Sequence, residues 1–151
     1  MNKPNNCVIA EDELIFREAL TKLLANQWPQ LDIVASCEDG ADALEAIAEH
    51  QPAYAFLDIR MPGLSGLDVA AATAEISPST QIVFVTAYNQ YAIDAFEKGA
   101  VDYLLKPIEP KRLASTIERL QARTLNGNHN PAAIQALIEQ LGKALPRKAV
   151  A

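Results

Sequence analysis

Residues 53–68 read Ala-Tyr-Ala-Phe-Leu-Asp-Ile-Arg-Met-Pro-Gly-Leu-Ser-Gly-Leu-Asp, and the topology of the chain can be argued from them. The apolar run Tyr54–Leu57, which a Pro-Gly pair soon follows, predicts a short buried strand. Ser65 and Asp68 have the spacing of a capping box, which predicts the start of a helix. Asp58 is therefore expected at the carboxyl end of a strand, the edge where open α/β sheets bind ligands.

Strands and helices alternate along the first 123 residues. Five apolar runs bounded by turn residues predict strands at Cys7–Ala10, Leu31–Cys37, Tyr54–Leu57, Gln81–Thr86 and Val101–Leu105. A helical pattern follows each run, beginning near Leu14, Gly40, Ser65, Tyr91 and Pro110. Such alternation predicts an α/β fold with right-handed crossovers. The fold class expected is a flavodoxin-like, doubly wound, five-stranded parallel sheet (order 2-1-3-4-5) with five helices.

The domain organisation follows from the same pattern. Residues 1–123 form one predicted domain, and residues 124–130 read as a polar linker. Residues 131–151 contain an extra C-terminal helix in the prediction. Its apolar residues have the spacing i, i+3, i+4, i+7 of one helical face, and they are Ile134, Leu137, Ile138 and Leu141.

Composition excludes several classes of function. The net charge is −6, and the first 123 residues carry 10 Lys/Arg against 18 Asp/Glu, which disfavours nucleic-acid binding. Two cysteines and two scattered histidines cannot build a Cys/His metal site. No apolar run approaches the roughly 20 residues that cross a bilayer, and the N-terminus lacks a signal-peptide pattern. We therefore expect a cytoplasmic protein with no membrane contact.

Four predicted strands end in polar side chains that can act together. In the order 2-1-3-4-5, strands 1, 3, 4 and 5 are neighbours, and their carboxyl ends present to one pocket Glu11, Asp12, Asp58, Thr86 and Lys106. Two carboxylates 4 Å apart repel by about 4 kcal/mol at an effective dielectric near 20. A hard divalent cation offsets this repulsion, and Mg²⁺ suits one or two carboxylates.

This set of residues suits phosphoryl transfer. Mg²⁺ beside Asp58 and the ammonium of Lys106 would hold a phosphoryl group in line for attack, which is most of what such a reaction needs. An aspartate can itself be the nucleophile and form an acyl phosphate. The hydroxyl of Thr86 would donate to a phosphoryl oxygen.

At this point the chain resembles the receiver domain of two-component response regulators, over about residues 6–122. The matching motifs are the acidic pair Glu11-Asp12, Asp58 in Leu-Asp-Ile-Arg-Met-Pro-Gly, Thr86-Ala87 and Lys106-Pro107. The resemblance implies that Asp58 accepts a phosphoryl group from a sensor histidine kinase. It also implies that Glu11, Asp12 and Asp58 hold Mg²⁺ together with the backbone carbonyl of Arg60.

The resemblance implies two further features at the pocket. The Lys106–Pro107 bond is expected to be cis, and Tyr103 occupies the position of the family's aromatic switch residue. Tyr103 as an ordinary core residue remains an alternative.

Arg60 and Tyr88 lie two residues beyond Asp58 and Thr86, and we expect both to flank the pocket mouth and slow hydrolysis of the acyl phosphate.

Residues 86–96 and 102–107 look specifically like the LytR/AlgR class, whose members usually carry a LytTR DNA-binding domain. The chain ends before such a domain could begin, so we expect transcription control through an output domain outside it, and no DNA binding by this chain alone. We also expect phosphorylation to promote a homodimer through helix 4, strand 5 and helix 5. The residues that motivate this face are Tyr91, Asp94, Phe96, Lys98, Tyr103, Lys111, Arg112 and Arg119.

Two other functions compete with a phosphorylation switch. A Mg²⁺-dependent phosphohydrolase of the haloacid-dehalogenase type would have its nucleophile on the first strand and a second Asp two residues further on. In this chain the residue two positions after Asp58 is Arg60. A flavodoxin-like FMN carrier needs a phosphate cradle in the first loop, and three acids there repel phosphate. Asp58 as a mere capping or surface residue is the remaining alternative. We therefore predict a switch rather than a turnover enzyme.

Overall fold

The computed structural model describes residues 5–97 and 99–126 of the chain. Its strands are β1 (Asn6–Ala10), β2 (Asp32–Cys37), β3 (Tyr54–Leu57), β4 (Gln81–Thr86) and β5 (Asp102–Leu105). Its helices are α1 (Leu14–Gln27), α2 (Gly40–His50), α3 (Gly66–Ile76), α4 (Ala92–Glu97) and α5 (Pro110–Asn126), and a short 3₁₀ turn (Asn89–Tyr91) precedes α4.

The strands form one parallel sheet in the order β2-β1-β3-β4-β5. This order confirms the predicted fold class. Because every strand runs in the same direction, the carboxyl ends of β1, β3, β4 and β5 lie side by side at one edge.

Two apolar cores cover the two faces of the sheet. One contains the buried residues of α2, α3 and α4, and the other contains those of α1 and α5. Alternate residues of β1 enter the two cores, Val8 on one face and Cys7 and Ile9 on the other. This alternation follows from the period of two in a strand, and it explains why β1 is apolar on both faces from Cys7 to Ala10.

Helix ends differ slightly from the sequence predictions. The predicted α4 begins at Tyr91, but that residue closes the 3₁₀ turn and α4 itself is only six residues long. Gly99 follows α4 with φ +91°, as its predicted C-terminal position requires. Helix α5 continues to Asn126, beyond the predicted start of the linker at residue 124. The rest of that linker and the predicted helix in residues 131–151 lie outside the described residues.

The segment after β3 is fixed by a helix cap and a close contact. The predicted capping box is present, with Ser65 and Asp68 bonding each other's backbone N–H at 3.1 Å. A Cβ on Gly66 would lie only 2.1 Å from the backbone oxygen of Asp58, so no other residue fits there unstrained. The start of α3 therefore packs directly on the backbone that carries Asp58. Among the residues that the structure describes, no helix is long and apolar enough to cross a bilayer.

Candidate functional site

Asp58 follows β3 and is held by its neighbours on both sides. Its backbone N–H donates to the carbonyl of Ala10 at 2.9 Å, and Gly66 N–H donates to the carbonyl of Ile59 at 2.8 Å. The side chain is buried, and Arg60 N–H lies 3.4 Å from its Oδ1. The surrounding backbone therefore fixes the Asp58 carboxylate in one place.

Four acidic side chains meet at this edge of the sheet. Ligand oxygens of Glu11, Asp12, Glu13 and Asp58 all lie within 4.8 Å of one another. Glu11 and Asp58 are buried, whereas Asp12 and Glu13 are exposed. Glu13 N–H donates to Glu11 Oε2 at 3.0 Å, which ties the backbone of Glu13 to the buried Glu11 carboxylate.

Lys106 provides the positive charge inside this group. Its Nζ lies 2.6 Å from Glu11 Oε1, 2.9 Å from Asp58 Oδ2 and 3.3 Å from Glu13 Oε1. The lysine side chain is only 3% exposed. Burial alone would lower the pKa of Lys106, but hydrogen bonds to Glu11 and Asp58 outweigh burial and raise that pKa. The ammonium therefore stays charged.

Burial dominates the titration of Glu11. Desolvation raises the pKa of Glu11 to about 7, although the hydrogen bonds from Lys106 and from Glu13 N–H pull it down. The charge of Asp58 nearby adds to the increase. Glu11 therefore keeps its proton to a higher pH than an ordinary glutamate does, even with Lys106 beside it.

The donor set fits a hard divalent cation. Carboxylate oxygens are the ligands that Mg²⁺ prefers, and it is commonly bound through one or two of them. The four acidic side chains have the Lys106 ammonium among them, so negative charge is in excess at this point of the structure. The acidic cluster, which contains the predicted ligands Glu11, Asp12 and Asp58, could therefore hold such an ion.

Thr86 ends β4 next to this cluster. Its side chain is completely buried, and its hydroxyl has no hydrogen-bond partner among the described residues. A buried hydroxyl without a partner costs about 1–3 kcal/mol. The backbone carbonyl of Thr86 accepts from Lys106 N–H at 2.9 Å, which ties the ends of β4 and β5 together.

A series of contacts links Arg60 to three tyrosine side chains. The Arg60 guanidinium lies 4.8 Å from the centroid of the Tyr88 ring, and Tyr88 meets the edge of Tyr91. Tyr103 donates its hydroxyl to the backbone carbonyl of Tyr88. Burial raises the pKa of Tyr103 to about 12, so this hydroxyl remains a donor. A cleft of about 370 Å³ beside them is lined by Asp12, Arg60 and Tyr91 among others.

Asp102, at the start of β5, is the centre of a second ionic cluster. It is 2% exposed and accepts hydrogen bonds from Arg112 at 2.6 and 2.9 Å, Arg119 at 2.7 Å and Thr116 at 2.7 Å. Burial alone would raise the pKa of Asp102, but hydrogen bonds from Arg112 and then Thr116 outweigh it and lower that pKa. Lys106 therefore pairs with the acidic cluster, whereas Arg112 and Arg119 pair with Asp102.

This second cluster changes the interpretation of the predicted dimer face. Arg112 and Arg119 pair with Asp102 inside the chain, so they do not stand free to pair across a two-fold axis. Phe96 and Tyr103 are buried, so these two aromatics of the predicted face belong to the core. Lys98 and the side chain of residue 94 lie outside the description.

The structure brings together most of the predicted site residues. Glu11, Asp12 and Asp58 form the acidic cluster, and Lys106 lies inside it, while Thr86 is buried next to it without touching a partner. The Lys106–Pro107 bond is cis, as the resemblance implies. The chemical roles of these residues stay predictions.

The sequence reasoning missed three residues. Glu13 and Phe16 both contact the Lys106 ammonium, the ring centroid of Phe16 being 4.6 Å from Nζ. Gly66 carries the close contact with Asp58. The signal for Glu13 was its place directly after the acidic pair. Nothing in the spacing of Phe16 separates a ring that faces a lysine from an ordinary core ring.

Comparisons with known proteins agree with this arrangement. The family model described as the response regulator receiver domain matches residues 7–118. An uncharacterized response regulatory protein of Vibrio cholerae is 45% identical over 148 residues, which cover 96% of this chain and 57% of that protein. The transcriptional regulatory protein BtsR of Salmonella typhimurium is 46% identical over 115 residues, or 76% of this chain and 47% of BtsR.

A solved structure gives the same result. The REC domain of AraT, a response regulator from Geobacillus stearothermophilus, is similar with a TM-score of 0.76 at 30% identity, and the match covers 82% of this chain and 98% of that one. The chain spans about half the length of the curated relatives named above.

Proposed function

Since the chain belongs to the response regulator receiver domain family of two-component systems, we propose that it works as a phosphorylation-driven switch whose acceptor is Asp58. A sensor histidine kinase is the proposed phosphoryl donor. Receiver domains are in general signalling switches rather than enzymes, and the relatives are named response regulators.

Asp58 acts as the nucleophile in this proposal. One of its carboxylate oxygens attacks phosphorus, the bond from phosphorus to the donor breaks, and an acyl phosphate forms on Asp58. The Lys106 ammonium is already 2.9 Å from Asp58 Oδ2, so it neutralises charge on the phosphoryl group without a large movement. Thr86 supplies a hydroxyl that lacks a partner among the described residues, and a phosphoryl oxygen would satisfy it.

Magnesium is the proposed cofactor. When bound, it offsets the repulsion among the carboxylates and the negative charge of the phosphoryl group. Glu11, Asp12 and Asp58 would hold it, and the backbone carbonyl of Arg60 would be a further ligand. The support is the set of carboxylate oxygens within 4.8 Å.

One observation carries the proposal above the others: the buried Lys106 ammonium is bonded to the buried Asp58 carboxylate inside an acidic cluster. A surface aspartate or a helix-capping aspartate would not be buried against a lysine from another strand. The separation of Asp58 and Lys106 by 48 residues shows that the fold assembles this pair.

Phosphorylation can be tested by mass. Incubation of the full chain with Mg²⁺ and acetyl phosphate should add the mass of one phosphoryl group, and Asp58→Asn should abolish this addition. Asp32→Asn makes the same change at an exposed residue of β2 and serves as the matched control. Equal labelling of the Asp58→Asn variant contradicts the proposal. Turnover of p-nitrophenyl phosphate should be negligible, and rapid turnover would favour a phosphohydrolase instead.

Tyr103 is the proposed switch residue. Its hydroxyl bonds the backbone carbonyl of Tyr88, two residues after Thr86, so a movement of Thr86 toward a phosphoryl group would shift the segment that Tyr103 holds. We propose that this coupling carries the signal from Asp58 to the face formed by α4, β5 and α5, where phosphorylation promotes a homodimer. Among the basic residues of that face that the structure describes, Arg112 and Arg119 pair with Asp102, and Lys111 is exposed.

The output of the switch is a further part of this proposal. The tracts at residues 86–96 and 102–107 support the LytR/AlgR class, in which a LytTR-like domain binds DNA. We infer that residues 131–151, which follow the predicted linker, connect the receiver to such a domain, and that the acidic chain alone does not bind DNA. Micromolar binding to duplex DNA at physiological salt would contradict this. Removal of residues 127–151 should leave phosphorylation of Asp58 intact.

A further inference from the structure

The Lys106 ammonium has four neighbouring side chains. It contacts Glu11 at 2.6 Å, Asp58 at 2.9 Å and Glu13 at 3.3 Å, and its Nζ lies 4.6 Å from the ring centroid of Phe16. Two of these partners are buried carboxylates. The other two are Glu13 and the ring of Phe16.

The buried partners of Lys106 are also the proposed ligands of Mg²⁺. The ammonium engages Oε1 of Glu11 and Oδ2 of Asp58, and a dication that binds the same carboxylates repels it. Binding of the ion therefore requires the ammonium to loosen its contacts with the buried acids. The desolvated lysine then needs another acceptor, because a buried charge without a partner is costly.

Glu13 is placed to be that acceptor. It occupies the N-cap position of α1, where a polar side chain usually accepts a backbone N–H of the first turn, yet it makes no such cap bond. Its carboxylate faces Lys106 instead. The glutamate is also anchored, because its own N–H donates to Glu11 Oε2 at 3.0 Å. The ring of Phe16 offers the ammonium a second contact that carries no formal charge.

We propose that Glu13 is a positioning residue that holds the Lys106 ammonium while Mg²⁺ occupies Glu11 and Asp58. The inference rests on the proposed function, because it assumes the Mg²⁺ site. The displacement of the ammonium is small, since Nζ already contacts the buried Glu11 and the exposed Glu13 at the same time. Lys106 thereby remains at the site, ready for a phosphoryl group, instead of competing with the metal ion.

The test is a double-mutant cycle on Mg²⁺ affinity, measured by calorimetry on the full chain at constant ionic strength. Glu13→Gln should weaken Mg²⁺ binding about three- to fivefold, the upper part of the range of an exposed ion pair, because the Lys106 side chain is buried. In the Lys106→Met background the same change should have less than half of that effect, because the competing ammonium is gone. Glu18→Gln removes a charge from an exposed position of the same helix and should change the affinity little.

The outcomes separate this inference from the proposed function. An equal loss with and without Lys106 means that Glu13 acts on the metal ion by its charge alone, and an unchanged or stronger affinity in Glu13→Gln also overturns the inference. Absence of Mg²⁺ binding in the wild-type chain defeats the proposed metal site itself. If Lys106→Met does not fold, the ε-methylene NMR resonance of Lys106 decides: in the Mg²⁺-saturated state it should differ between wild type and Glu13→Gln, and identical shifts refute the proposal.

Discussion

Replacement of Asp102 by asparagine should destabilise the fold by about 2–3 kcal/mol at pH 7. The carboxylate accepts hydrogen bonds from two guanidinium groups, from Thr116 and from Tyr103 N–H, and it is 2% exposed. Removing one partner of a buried ion pair costs about 3–5 kcal/mol. The side chains of Arg112 and Arg119 are 42% and 35% exposed, so water recovers part of that cost.

The dependence on pH follows from the lowered pKa of Asp102. A carboxyl group whose pKa is lower in the folded state stabilises that state above its unfolded pKa of about 3.9. This contribution is lost as the pH falls through the folded pKa. The difference in stability between wild type and Asp102→Asn should therefore be constant from pH 7 to 5 and shrink toward pH 3.

Urea unfolding measures both effects. Trp28 is the only tryptophan, is 2% exposed and packs 4.8 Å from the Tyr54 ring, so its fluorescence reports loss of the core. Glu118→Gln, at an exposed position of α5, is the matched control and should fall within about 0.5 kcal/mol of wild type. A loss below about 0.5 kcal/mol for Asp102→Asn, or a loss that persists unchanged at pH 3, refutes the reasoning.

Three more outcomes are expected. Gly66→Ala should destabilise the chain by about 1–3 kcal/mol in urea unfolding and reduce acetyl phosphate labelling, because its Cβ would lie 2.1 Å from the backbone oxygen of Asp58; full labelling would contradict this. Alanine at both Arg60 and Tyr88 should shorten the phosphoprotein lifetime about two- to fivefold, as expected for loss of one cation–π pair, and an equal lifetime would show that they do not shield the site. Mg²⁺ affinity should fall about tenfold from pH 8 to pH 6, because Glu11 has a pKa of about 7 and must lose its proton to bind the ion. Glu11→Gln should abolish this dependence on pH.

The sequence was sufficient to predict the sheet and the meeting of Asp58 with Lys106 at one of its edges. Apolar runs of strand length alternate with helical patterns, and parallel strands must end at one edge, so Asp58 and Lys106 were expected together although they lie 48 residues apart. The capping box at Ser65 could be identified because its partners are three residues apart and need no tertiary information.

The neighbours of each side chain could not be predicted in the same way. The arginines of α5 were expected to be free for a second chain, but Asp102 on β5 takes both, and no spacing rule links a strand residue to helix residues 10 and 17 positions later. The close contact of Gly66 with Asp58 depends on how α3 lies on the sheet. Such contacts come from packing between elements, which one sequence does not specify by periodicity.

The position of each strand in the sheet divides the site into a fixed part and an adjustable part. β3, which carries Asp58, is hydrogen-bonded to β1 and β4, whereas β5, which carries Tyr103 and leads to Lys106, is bonded only to β4 among the described strands. A shift of β5 disturbs one ladder of hydrogen bonds, while a shift of β3 disturbs two. Asp58, the proposed acceptor, therefore follows a strand that is held on both sides, whereas the proposed switch residue Tyr103 lies on a strand that is held on one side.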